Sequence, residues 1–337
     1  MIHDGVKLHN VESLTDQNGG VRLDRLPRDV RETLNENAQI MYTHAAGCEV
    51  RFVADGPVSV TLSSPGECQV TPCYGSFLSP PDERVTLGDE STTIELDVPD
   101  QLNSLDPKLV DKMPFDPSVH RVTLYGGPAI LHGIEGDVRP PEPAELPDRR
   151  YLVYGTSITQ GIAATDRHLT YAGQTARRLG ADLVNLGTSG SAYCEPDLAE
   201  YVAARDDWDL ATLSISVNML GSGFPAAEFR ERAAYMIDTI ANAHPDAPVA
   251  CITLFPVFPD LRREKSVPES WKSTSEEYRA TLRSVVAETS APNVFLIEGP
   301  ELLADSTGLA PDLVHPTDVG MVEIGERLAR RLTPLLK

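Results

Sequence analysis

The texture of this chain changes once, at Arg139–Asp148 (RPPEPAELPD), where four prolines fall within ten residues. Proline fixes φ and removes a backbone donor, so neither a helix nor a sheet ladder runs through such a stretch. It reads as a stiff connector, residues 139–148, between two domains. Before it, short β-rich runs alternate with turn residues: Glu49–Phe52, Val58–Leu62, Arg84–Leu87, Thr92–Val98, His120–Tyr125 and Ala129–His132. Period-two alternation bounded by Gly, Pro, Asp and Asn predicts an antiparallel sandwich or jelly-roll-like domain over residues 1–138. Helical signal there is confined to a turn around Asp29–Asn35.

After the connector, strand and helix patterns alternate over residues 149–337. Strands are expected at Arg150–Tyr154, Asp182–Leu186, Leu210–Val217, Val249–Phe255 and Val294–Ile297. Helices are expected at Tyr171–Leu179, Ala226–Ala243, Ser275–Ala287 and Val319–Leu336. In the second of these, Phe229, Ala233, Met236, Ile237 and Ile240 recur at helical spacing. Such alternation predicts an α/β domain with a mostly parallel sheet and helices on both faces, whose chemistry lies at the carboxyl ends of the strands.

Composition narrows the partners. Asp and Glu number 50 against 29 Lys and Arg, a formal net charge of −21. So acidic a surface repels phosphate backbones and anionic headgroups, which disfavours nucleic-acid and membrane-surface roles. Acid with scarce lysine resembles proteins of salt-accumulating organisms, although a merely acidic protein of a GC-rich genome reads the same way. The five cysteines, Cys48, Cys68, Cys73, Cys194 and Cys251, have no framework spacing and read as reduced thiols, and none completes a metal site. The start, MIHDGVKLHN, has no leader pattern, and no apolar run is long enough to cross a bilayer. The expectation is a soluble, cytoplasmic protein without metal or organic cofactor.

Four segments carry chemistry. Tyr154–Gly161 (YGTSITQG) delivers Ser157 where a strand runs into a helix start. There a hydroxyl is held for attack beside free backbone N–H groups, or simply caps the helix. Asn185–Ser191 (NLGTSGS) is a glycine-bearing loop whose N–H groups can approach a ligand, or a plain turn. Asn218 ends an apolar strand, where its amide can meet an oxyanion or form an Asx turn. Pro311–Pro316 (PDLVHP) sets His315 three residues after Asp312, so that the carboxylate can hold Nδ1 and leave Nε2 as a base. A metal pair is the alternative, but no further cluster supplies the missing ligands. The remaining histidines read as surface or packed residues, with His168 the open case.

In this order and spacing the four segments resemble the SGNH hydrolases, or GDSL esterase/lipase family, over roughly residues 150–337. Gly155-Thr156-Ser157-Ile158-Thr159 is similar to the first block with Thr156 where Asp is usual, and Ser216-Val217-Asn218-Met219 stands where Gly-x-Asn-Asp is usual. The resemblance implies a flavodoxin-like three-layer α/β/α domain behind an all-β sandwich. It also implies a triad of Ser157, His315 and Asp312 with an oxyanion hole from Ser157, Gly190 and Asn218. The expected activity is hydrolysis of acetyl or other short-acyl esters of a carbohydrate or small molecule, since no long apolar lid is visible. An acyltransferase would use the same residues. A non-catalytic carbohydrate-binding or scaffold protein would be expected to carry a broken triad. The loop Phe258–Lys272 offers Arg262, Arg263, Lys265 and Trp271 as substrate contacts overhanging the site, or as a solvated surface. The β domain is left either to cover the cleft or to mediate dimerisation.

Overall fold

The computed structural model describes residues 1–263 and 267–336. Its contacts divide the chain into two compact units. One comprises Met1–Arg28, Tyr42–Arg149 and Gly180–Val184, and the other Asp29–Met41, Arg150–Leu179 and Asn185–Lys337. Residues 29–41 therefore pack with the C-terminal part of the chain although they precede the proline-rich stretch.

The first unit holds two antiparallel sheets. In one, the strands run in the order Ile2–His3, Val6–His9, Glu49–Ala54, Val119–Gly126, Cys68–Tyr74 and Phe77–Leu78, with Val138–Arg139 and Val85–Leu87 paired alongside. The other runs Thr92–Leu96, Val58–Ser63, Ile130–Glu135, Gly20–Asp24 and Ser13–Gln17. Leu8, Val50, Phe52, Val70, Val122 and Leu124 of the first sheet share a core with Leu23, Val58, Val60, Leu62, Ile94 and Leu131 of the second. Alternate residues of each strand supply that core, as the pleat requires.

The Cys68–Tyr74 strand has no clear sequence signal because Pro72 interrupts it. The structure accommodates the proline where the strand's second edge changes partner, between Val70, which faces Val85, and Cys73, which faces Leu78. The proline-rich stretch is built into this unit: Pro143–Glu145 forms a 3-10 turn, and Leu146 is buried with Val53, Phe115 and Val119.

Charge is also buried here. Arg51 donates to both oxygens of Asp182 at 2.7 and 2.6 Å and to Glu49 at 2.7 Å, while Arg121 donates twice to Glu49 at 2.8 Å. Phe115 lies under the Arg121 guanidinium at 3.7 Å. His9 Nε2 donates to the Leu183 carbonyl at 2.7 Å and sits 3.4 Å from Asp182.

The second unit is built on a parallel sheet in the order Ala181–Gly187, Arg149–Gly155, Leu210–Ser214, Val249–Ile252, Val294–Ile297. Numbered along the chain this order is 2-1-3-4-5, the flavodoxin-like arrangement that the resemblance implies. The three inner strands carry near-continuous apolar runs, as strands covered on both faces must. Helices Tyr171–Leu179 and Asp318–Leu332 pack together as one layer. Pro196–Ala204, Ala226–Ala243 and Ser275–Glu288 form the other. Phe229, Ala233, Met236, Ile237 and Ile240 are the buried stripe of the longest helix, as their spacing predicts.

Several elements differ from the sequence expectation: the fourth strand stops at Ile252, and helix Pro196–Ala204 has no counterpart among the expected helices. The third strand stops at Ser214, and Asn218 lies in a short helix, Val217–Gly221. The apolar residues that extended the strand pattern, Val217, Met219 and Leu220, belong to that helix. The segment after Phe258 also opens on a helical turn, Phe258–Leu261.

Candidate active site

The strand order sets three loops side by side at one end of the sheet, because strand 1 lies between strands 2 and 3. Strand 1 leads directly into the helical turn Ser157–Gln160, with Thr156 as its N-cap. Gly155 is required by crowding: a Cβ there would fall 2.6 Å from the Ser214 carbonyl oxygen. Ser157 is 4% exposed and sits at the first helical position, where its N–H has no helical carbonyl to meet.

His315 reaches this serine from a loop pinned at both ends. Ala310 N–H donates to the His315 carbonyl at 2.8 Å, and Thr317 N–H donates to the Gly308 carbonyl at 2.9 Å. Between them Leu313 adopts φ +55°, a left-handed conformation costly for a branched side chain. The turn lets Asp312 Oδ1 accept from Val314 N–H at 2.9 Å and His315 N–H at 3.0 Å. Asp312 Oδ2 then meets His315 Nδ1 at 2.7 Å, and His315 Nε2 meets Ser157 Oγ at 2.8 Å. Partial burial would raise the Asp312 carboxyl, but the bonds from the His315 ring and the two backbone N–H groups outweigh it and hold the group below its ordinary value.

The loops after strands 2 and 3 carry Gly190 and Asn218. Asn218 Oδ1 accepts from Ala192 N–H at 3.2 Å, which fixes the flip of the amide and leaves its NH2 as the donating end. Gly190 adopts φ +66°. Two cross-braces join the Gly190 loop to the serine's turn: Ser189 N–H to Gln160 Oε1 at 2.7 Å, and Asn185 Nδ2 to the Thr159 carbonyl at 3.0 Å.

Several residues around this centre carry no local sequence signal. Asp318 accepts from Thr165 N–H at 2.8 Å and Thr165 Oγ1 at 2.7 Å, tying the segment after Ser157 to the helix after His315. Asn35 donates to the Ser191 carbonyl at 3.1 Å and to Glu195, and its backbone N–H reaches Glu195 at 2.6 Å. Asn37 Nδ2 donates to the Ser189 carbonyl at 2.9 Å, and Tyr193 Oη donates to the Gly190 carbonyl at 3.1 Å. The asparagines lie more than 150 positions from these partners, so no local pattern could announce the contacts.

Two of the loop candidates, Trp271 and Arg262, meet Phe258. Trp271 packs against Phe258 with ring centroids 5.2 Å apart, Arg262 lies 5.0 Å over the same ring, and Arg263 is exposed. A cavity of about 420 Å³ beside them is lined by Trp271, Asp260 and Arg279 and does not include Ser157. Lys265 lies outside the described residues. His168 pairs with Asp166 at 2.8 Å. Among the described residues, no group of three or more His, Cys, Asp or Glu side chains is placed to hold a metal ion.

The family description that matches this chain is the GDSL-like lipase/acylhydrolase family, over residues 153–322. The match spans half the sequence and contains Ser157, Gly190, Asn218, Asp312 and His315, and the chain belongs to that family. Among solved structures it is similar to the salicylyl-acyltransferase SsfX3 of a tetracycline biosynthetic pathway, with TM-score 0.76 and 17% identity over 98% of this chain and 97% of that one. It is similar also to a family two carbohydrate esterase from Clostridium thermocellum solved with cellohexaose, with TM-score 0.62 and 16% identity over 97% and 98% of the two chains. A third is the acetyl xylan esterase Est2A of the rumen bacterium Butyrivibrio proteoclasticus, with TM-score 0.54 and 12% identity over 86% and 90%. At these identities the likeness is one of fold. A comparison with curated protein sequences gives no match. No described helix is long and apolar enough to cross a membrane.

Proposed function

We propose that this chain is a serine esterase that removes acetyl or other short acyl groups from a carbohydrate or small-molecule ester. The observation that carries the proposal is the unbroken relay from Asp312 through His315 to Ser157, with contacts of 2.7 and 2.8 Å. His315 takes the Ser157 proton as Oγ attacks the acyl carbon, then gives it to the departing alcohol. Asp312, ionised, holds the imidazole in the tautomer that presents Nε2 as acceptor. Water, deprotonated by His315, then releases the acid. Ser157 N–H, Gly190 N–H and Asn218 Nδ2 are the proposed donors to the tetrahedral oxygen, each of a kind worth about 3 kcal/mol in the transition state.

A scaffold role has no use for an intact relay. Acyl transfer to an alcohol in place of water is the second reading, favoured by the fold shared with an acyltransferase over nearly the whole chain. The test is turnover of p-nitrophenyl acetate, butyrate and octanoate by wild type and Ser157→Ala, with and without added alcohols or sugars. Hydrolysis falling with acyl length and absent from the variant supports the esterase. Product partitioning to an added hydroxyl compound would favour transfer, and undiminished turnover by the variant would sink both.

A further inference from the structure

We infer that Asn37, far from the motif blocks in sequence, is a positioning residue that sets the direction of the Gly190 N–H; the inference rests on the proposed role of that N–H toward the oxyanion. A peptide group is planar and trans, so the carbonyl of Ser189 and the N–H of Gly190 point in opposite directions from one rigid plate. Whatever holds the carbonyl aims the N–H. Asn37 Nδ2 holds it at 2.9 Å, with a second bond from Ser191 Oγ at 3.1 Å.

The plate needs holding. Rotating it changes ψ of Ser189 and φ of Gly190, and glycine accepts either sign of φ at little cost. Gly190 stands at φ +66°, and a Cβ on it would lie 3.0 Å from Asn37 Nδ2, so the amide and the glycine are fitted to each other. The following carbonyls are held in the same manner, Gly190 by Tyr193 Oη at 3.1 Å and Ser191 by Asn35 Nδ2 at 3.1 Å. Three successive carbonyls thus each accept from a different side chain. The Asn37 contact acts, together with Ser191 Oγ, on the plate that carries the Gly190 N–H, and it is the one of the two that comes from outside the loop.

Asn37 is exposed, so removing its amide is expected to leave the core packing intact. The experiment compares wild type, Asn37→Ala, Asn37→Asp and Ser157→Ala for p-nitrophenyl acetate kinetics, thermal midpoint and affinity for methylboronic acid. That acid adds the Ser157 oxygen to boron to give a tetrahedral anion while the hydroxyl proton passes to His315. Full loss of one oxyanion donor costs about 10²- to 10³-fold, so a loosened one is expected to cost about 10- to 100-fold. The inference is supported if kcat and boronate affinity fall together by that factor in both Asn37 variants, with KM within about two-fold and the midpoint unchanged. Aspartate matches asparagine in size and cannot donate, so Asn37→Asp should be no better than Asn37→Ala. Unchanged kcat in either variant, or a fall in kcat without a fall in boronate affinity, overturns it. An inactive Ser157→Ala beside fully active Asn37 variants refutes this inference alone. An active Ser157→Ala refutes the parent reading and this one with it.

Discussion

Asp182 lies 3.4 Å from His9 in the β unit, and Asp312 lies 2.7 Å from His315 in the α/β unit. Each region therefore holds a carboxylate beside an imidazole, yet their surroundings differ. Asp182 and His9 are enclosed, and Asp182 spends both oxygens on Arg51. Burial first, then Arg51, push His9 down to about 3, so its ring stays neutral at ordinary pH. The Asp182 carboxyl, which burial alone would raise, is driven far below its ordinary value by Arg51. Among the described residues no guanidinium is paired with the Asp312 carboxylate. Asp312 keeps half its side-chain surface and His315 a quarter, and the imidazole spends its second nitrogen on a hydroxyl. The difference teaches that residue type does not decide how a carboxylate–imidazole pair is held. A matched guanidinium locks the Asp182 charge in place, whereas Asp312 is met by the His315 ring and two backbone N–H groups, the arrangement on which the proposed proton transfer rests.

The largest way to separate the two regions is at the nucleophile. Ser157→Ala is expected to lower kcat on the order of 10⁶-fold while the unfolding midpoint stays put, measured by ester turnover and urea denaturation on one preparation. Next, Asp312→Asn should lower kcat about 10⁴-fold, because an amide favours the wrong tautomer of His315. Its stability cost should be small, since the pair is half exposed. The depressed carboxyl contributes above the unfolded value near 3.9, and that contribution fades as pH falls through the lower folded value, so the small difference from wild type should vanish in strong acid.

In the other region the expectation reverses. Arg51→Met leaves Asp182 without its guanidinium and takes one of two from Glu49, which keeps Arg121, and should cost about 3–5 kcal/mol of unfolding free energy, with kcat per folded molecule kept. Activity lost in proportion to folded protein fits the comparison, and a specific loss of kcat would break it. The smallest effect concerns His9. Its folded pKa lies below the unfolded value near 6.5, so the unfolded chain binds a proton the native chain refuses. Stability should therefore decline as pH falls from about 6.5 toward 3, by up to about 1.4 kcal/mol per pH unit from this group. His9→Gln should flatten that limb in a urea-titration series across pH, and an unaltered slope would show that His9 is protonated in the fold.

What was legible follows from range along the chain. The Asp312-x-x-His315 spacing already implies a contact at Nδ1 because a single turn makes it, and the Ser157 block reads because strand, glycine and helix start are contiguous. Alternation gave the parallel sheet, since its strands are continuous apolar runs. Asn37, Asn35 and Tyr193 were silent, because asparagines in a polar helical segment and a tyrosine in a loop have dozens of ordinary roles. Pro72 hid a strand by removing the one donor that the pattern requires. Asn218 read as a strand end because its apolar neighbours Val217, Met219 and Leu220 fit either period over so short a run.

The central claim is that Ser157, activated by His315, is the atom that attacks. Labelling the whole protein with a fluorophosphonate and mapping the modified peptide by mass spectrometry tests it directly. The account predicts one adduct on Ser157, formed far more slowly in His315→Ala and absent from Ser157→Ala. An adduct on another residue, or labelling that persists in Ser157→Ala at the wild-type rate, would contradict it.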